Sequence, residues 1–150
     1  MKDLRKLAAE PEKREKVIVD CVGLINAEVK SKKGLSGAAV KAAFAIVKAV
    51  KRRILEDSVE SLLDDFTEAL QAFYEQYQQA GSTGSLEDYL SRRGAEVAEA
   101  LLGITDRRAG RSKNKTVVKA YNKLRPKGLV HVEQATPGIG RMLDKHVGSL

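Results

Sequence analysis

The chain has no tryptophan, a single cysteine, two histidines, three phenylalanines and four tyrosines. One cysteine excludes an internal disulfide and any multi-cysteine metal site. That residue, Cys21, shares an apolar helical face with Val17, Leu24 and Ile25 and reads as a buried structural thiol. His131 and His146 belong to no HExxH or ExxH pattern, so the sequence offers neither a zinc nor a di-iron helical site, and no metal is expected. With aromatics at only 5%, the core has to be aliphatic and rich in alanine.

Long apolar runs are lacking too, since none reaches the ~20 residues that cross a bilayer. The opening residues, MKDLRKLAAE, are charged. Neither a signal peptide nor a transmembrane segment is therefore expected, and a cytoplasmic location is. The two glycines of Gly81-Ser82-Thr83-Gly84-Ser85 lack the Lys-Ser/Thr ending of a phosphate-binding P-loop and follow a helical pattern rather than a strand. They read as a connector, and no cofactor is expected. Carboxylates crowd residues 54–100, but a pair such as Asp64–Asp65 diverges by about 100° on a helix and makes a solvated face. No catalytic residue can be named.

What is present is charge, in blocks. The net charge is +7. Residues 1–53 carry 14 basic and 6 acidic groups, residues 54–100 carry 2 and 11, and residues 101–150 carry 11 and 3. The blocks can pair with one another inside the fold. If the basic ends are instead exposed, they favour a polyanionic partner.

The richest apolar stretch is Ser36–Ile54, SGAAVKAAFAIVKAVKRRI. At 100° per residue it sorts into three strips. Ala38, Ala42, Ala45 and Ala49 form a ridge of small side chains. Val40, Ala43, Phe44, Ile46, Val47, Val50 and Ile54 form a broader face of mostly larger ones. Lys41, Lys48 and Arg52 fall on what remains. Only the basic strip looks suited to water, which places this helix at the centre of a bundle. The alanine ridge admits close approach of another backbone, either within the bundle or as a seam between two copies.

The flanking pattern is helical throughout. Pro11 suits the first position of a helix running to Ser31, with Gly34 as a left-handed cap and Ser36 as the next N-cap. A break is expected near Arg52–Asp57. Val59–Gln79 follows, with Val59, Leu62, Leu63, Phe66, Leu70, Phe73 and Tyr77 at spacings of three and four, and its Phe66–Phe73–Tyr77 row suits the small residues of the central helix. Ser85 with Asp88 makes a capping box for a short helix, Leu86–Ser91. Ala95–Arg108 and Thr116–Leu124 are further helices. Leu129–Ala135 and Ile139–Val147 are divided by Thr136-Pro137-Gly138.

The most informative polar feature is a basic tract: Arg107, Arg108, Arg111, Lys113, Lys115, Lys119, Lys123, Arg125 and Lys127, with no acid between Asp106 and Glu133. Lys115, Lys119 and Lys123 recur at i, i+4, opposite Val117, Val118, Ala120, Tyr121 and Leu124. Such a helix, docked by its apolar side, presents a line of ammonium groups suited to phosphate contacts. Arg111, Asn114 and Tyr121 could add hydrogen bonds. The other reading is a solvated face paired with the acidic middle of the same chain.

The succession GLSGAAVKAAFAIVKAVK (Gly34–Lys51), SLLDDFTEAL (Ser61–Leu70), EDYLSRR (Glu87–Arg93) and EVAEALLGITDRRA (Glu96–Ala109) resembles an uncharacterised family of small all-helical bacterial proteins, found largely in actinobacteria. The resemblance implies a helical cytosolic protein of unknown function and supplies no active residues. The sequence thus predicts a single-domain all-α bundle of about six to eight helices around 36–54. The leading functional expectation is a non-enzymatic interaction or scaffold protein, homodimeric if Ala38, Ala42, Ala45 and Ala49 form a seam. The alternative is a nucleic-acid-associating protein using the 107–127 tract. A small-ligand binder or enzyme is the third.

Overall fold

The computed structural model describes residues 2–150. A single helical turn, α1 (Lys6–Ala9), leads into α2 (Pro11–Ser31), α3 (Gly34–Lys48), α4 (Ile54–Gln79), α5 (Leu86–Ser91), α6 (Gly94–Arg111) and α7 (Lys115–Leu124). A 3₁₀ turn, Arg125–Lys127, then joins α8 (Gly128–Val147). No strand occurs among the described residues, and the helical bundle expected from the sequence is what the chain forms.

Local chemistry explains most boundaries. Pro11 opens α2, where its missing N–H is not needed. Gly34 lies at φ +73°, the left-handed conformation that lets the chain turn from α2 into α3. The Ser85 hydroxyl accepts from the Asp88 amide at 3.1 Å and starts α5. Asn114 Oδ1 does the same for α7 through the Val117 amide. Ser36 is not a cap: α3 begins at Gly34, and the Ser36 hydroxyl meets His131 Nε2 instead.

The main core draws on every helix except α3 and α7. Leu7, Val17, Leu63, Leu70, Leu86, Leu90, Val97, Leu101 and Leu143 are buried together. Four residues are too few to hold a helix alone. It is the full burial of Leu4 and Leu7, each worth roughly 1.5–3 kcal/mol, that fixes α1 in place. The Leu4 amide also donates to buried Gln71 Oε1 at 2.7 Å.

Three expectations are corrected here. First, the alanine-rich helix is lateral, not central. It contributes nothing to the main core, and instead packs on α7 and α2 with Val40 and Ala43 buried. It also stops at Lys48, so Arg52 sits in the connecting turn and Ile54 begins α4. Secondly, Phe66, Phe73 and Tyr77 pack against the main core rather than over α3, and the Tyr77 hydroxyl donates to the Gly84 carbonyl at 2.7 Å.

Thirdly, Thr136-Pro137-Gly138 does not divide the last segment: α8 runs through it. A proline inside a helix costs ~3 kcal/mol. Burial on both sides of Pro137 offsets that cost, because α8 packs on α5 and α6 over much of its length. The glycines have a separate purpose. A Cβ on Gly138 would lie 2.6 Å from Leu24 Cδ1, and one on Gly140 would strike the backbone of α5 at Leu86 and Glu87.

α8 also starts α5 from outside. Asp144 Oδ1 and Oδ2 accept from the backbone amides of Leu86 and Glu87 at 2.9 and 3.0 Å. A helix of one and a half turns thereby receives a carboxylate at its positive end. Asp144→Ala is expected to cost about 1–2 kcal/mol in urea unfolding, because two amides lose their acceptor. Asp144→Asn, which keeps one acceptor, should cost less. Equal costs would show that one neutral acceptor stabilises nothing here without the charge and the second bond.

Candidate functional site

The basic tract runs over the C-terminal end of α6, the connector and α7. Arg107, Arg108, Arg111, Lys113, Lys115, Lys119, Lys123 and Lys127 are all exposed. None of them forms an ion pair among the described residues. The acidic helix α4 takes its partners elsewhere: Arg5 on Glu68 at 3.3 Å, Arg14 on Asp64 at 3.0 Å and Lys51 on Asp57 at 2.9 Å. The expected pairing of acidic middle with basic ends therefore holds for the N-terminal block and not for the tract.

Arg125 is the exception. Its Nε donates to Asp106 Oδ1 at 2.8 Å, and the Tyr121 hydroxyl donates to the same oxygen at 2.5 Å while meeting Thr105 Oγ1 at 2.7 Å. The Arg125 bond, then that of Tyr121, holds the Asp106 carboxyl below its ordinary range. Burial, and then the Asp106 bond, pushes the Tyr121 phenol up to about 12. This cluster rivets α7 to α6. It engages the Tyr121 hydroxyl and Arg125 Nε, and Asn114 Oδ1 is taken up as a cap.

Helix polarity separates structural charges from the rest. Arg108 and Arg111 lie in the last turn of α6, where the helix dipole welcomes a cation. Lys115 opens α7 with no acid in the first turn, a position where a positive charge is unfavourable. Its charge is not there for the stability of α7.

The second exposed surface is the outer side of α3. Ala38, Ala42, Ala45 and Ala49 are all exposed, so the ridge does not pack inside the bundle. Leu35 is 93% exposed and Ile46, expected on the buried face, is 49% exposed. With exposed Ala39 they complete an uncharged arc of about 120°. Lys41 and Lys48 border it, and Lys48 Nζ donates to Asn26 Oδ1.

Between the two surfaces lies a groove of about 420 Å³, walled by Val50, Ile54, Leu62, Val117 and Val118, with Lys51 and Arg108 at its rim. The sequence pattern did not reveal it, because its walls come from three helices, α4, α6 and α7, and from the turn after α3. Nor did it reveal Lys32. Lys32, just past the end of α2, is buried, donating to Gln134 Oε1 at 2.8 Å with Glu28 Oε2 at 3.6 Å. Beside it, His131 bonds Ser36 while its other ring nitrogen is buried without a partner. Burial, then the charges of Lys32 and Lys127, lowers the His131 pKa. Cys21 is half-buried beside Met142 Sδ, and burial pushes its thiol up to about 12, so it is a poor nucleophile.

These features define an all-helical protein with two exposed, chemically distinct faces. The chain belongs to a family of unknown function, DUF6918, whose model matches residues 4–147. No curated protein and no solved structure matches it. No helix among the described residues is long and apolar enough to cross a membrane.

Proposed function

We propose that this is a single-domain, non-enzymatic interaction protein whose α3 outer face seats a second copy of the chain. The observation that carries the reading is the uncharged arc from Leu35 to Ala49, left open by every other helix. An isologous contact sets a patch against itself, so it favours a patch that brings no charge into the middle. Alanine at four ridge positions allows two such helices to approach closely. A cytoplasmic location and a bacterial, largely actinobacterial origin, as the resemblance implies, belong to the same reading.

The contact is small. Fifteen residues make a helix of roughly 22 Å. One face of it falls well short of the ~800 Å² per partner of a standard interface, so association is weak and depends on concentration. Lys41 and Lys48 come near their own copies across the seam, and salt relieves that repulsion. Light scattering over rising concentration should show the mass climbing toward a dimer, further at high salt than at low. Ala42→Glu, at an exposed position, should hold the protein monomeric without lowering its melting temperature. A wild-type chain that stays monomeric up to ~0.5 mM, an affinity below ~4.5 kcal/mol, removes the proposal.

A second reading has its own observation. Eight tract cations are exposed and unpaired, and Lys115 sits against the dipole of its own helix. They support association with a polyanion, nucleic acid foremost. Duplex binding followed through a salt titration tests it.

A further inference from the structure

We infer that the groove between α4, α6, α7 and the turn that follows α3 is a binding site for a free single-chain anionic amphiphile, one hydrocarbon tail with one carboxylate or phosphate head. Its volume, about 420 Å³, falls within the roughly 300–1,000 Å³ of small-molecule sites.

The chemistry of the lining selects the ligand class. The walls are mainly aliphatic: Val50, Ile54, Leu62, Val117 and Val118. Most polar side chains among them already have partners. Ser61 Oγ donates to the Ser58 carbonyl at 2.9 Å, and Thr105 Oγ1 meets the Tyr121 hydroxyl at 2.7 Å. Ser112 Oγ accepts from the Asn114 amide at 3.2 Å, and Asn114 Oδ1 from the Val117 amide at 3.1 Å. The one carboxylate at the rim, Asp57, is neutralised by Lys51 at 2.9 Å. What remains is mainly hydrocarbon surface, the Ser58 hydroxyl and Asn114 Nδ2, and a single unneutralised positive charge, the exposed guanidinium of Arg108. A sugar or nucleoside would bring more hydrogen-bonding groups than these few can pair, which costs affinity. An aliphatic tail brings none, and its acidic head finds Arg108.

The site stands apart from the α3 seam, and it shares only Arg108 with the polyanion reading, so the groups are separable by mutation. The probe is sodium dodecanoate, kept below its micelle concentration and titrated by calorimetry into the full-length chain. Saturable binding of one equivalent is expected. Ser61→Trp, which puts an indole into the groove from an exposed position on α4, should weaken it about tenfold or more. Arg108→Glu should weaken it similarly, and dodecyltrimethylammonium, the same tail with a cationic head, should not bind. Duplex nucleic acid binding should be unchanged in Ser61→Trp. Three results overturn the inference: no saturable heat with dodecanoate, equal binding by the Ser61→Trp chain, or equal binding of the cationic analogue. Binding to phosphatidylglycerol vesicles without binding of free dodecanoate overturns it as well, and assigns the charge to a membrane surface instead.

Discussion

Gly140→Ala is expected to lower the unfolding free energy by about 2–4 kcal/mol, although the same exchange within an ordinary helix raises it by up to ~1 kcal/mol. The reason is what the new methyl group would meet. It would overlap Glu87 Cα, and it would lie 2.9 Å from the Glu87 nitrogen and 3.0 Å from the Leu86 carbonyl oxygen. All three are backbone atoms of α5, so no side-chain rotation makes room. α5 is meanwhile held against α8 at that very point by the two amide bonds to Asp144. Either those bonds lengthen or Leu86 and Leu90, both buried, leave the core.

The internal control is Gly23, in the middle of α2, where an added Cβ meets nothing within 4 Å. Gly23→Ala should gain about 0.5–1 kcal/mol from helix propensity alone. Urea unfolding of the two variants should therefore move in opposite directions. If Gly140→Ala matches Gly23→Ala in sign, the close approach of α5 to α8 is wrong.

The same pair of glycines shows where sequence reasoning stops. Periodicity located the helices because it records which side chains share a face: the 3–4 spacing of α4 and the caps at Pro11 and Ser85 are local facts. Gly138 carries the local signal of a chain break, yet what the two glycines make room for is distant in the chain: the Leu24 side chain for Gly138 and the backbone of α5, some fifty residues back, for Gly140. Pro137 beside them strengthened the misreading, since the burial that outweighs it lies in other helices. The alanine-rich stretch misled for a related reason. An apolar composition says that a face avoids water, but not whether its cover comes from the same chain. Val40 and Ala43 found theirs in the bundle, whereas Leu35 and the alanine ridge did not. The basic tract was legible as a row of residues, and its freedom from the acidic helix was not. That depends on how α4, α6 and α7 pack against one another, which no local spacing records.

Lys115→Glu, Lys119→Glu and Lys123→Glu combined should abolish duplex binding while leaving the fold about as stable. The row spans about 12 Å of α7, alongside roughly seven duplex charges at one per ~1.7 Å. If the three ammonium groups neutralise three phosphates, log K falls with log salt at a slope near −3 or steeper, because each contact releases counterions. Reversing all three replaces attraction by repulsion, and a loss of at least ~100-fold at ~50 mM salt follows. Loss of binding cannot then be blamed on unfolding. None of the three is buried, and none forms an ion pair among the described residues. Glu at position 115 supplies the acid that the first turn of α7 lacks, worth about 0.3–1 kcal/mol, which offsets the like cost of Glu at position 123 in the last turn. Fluorescence anisotropy with a labelled duplex, beside thermal melting of the same samples, reads both. Undiminished binding by the triple variant, or none by the wild type at ~50 mM salt, would falsify the polyanion reading. Salt also separates the two proposals by sign: it should weaken duplex binding through the tract and strengthen self-association through α3, where it screens Lys41 and Lys48 from their copies.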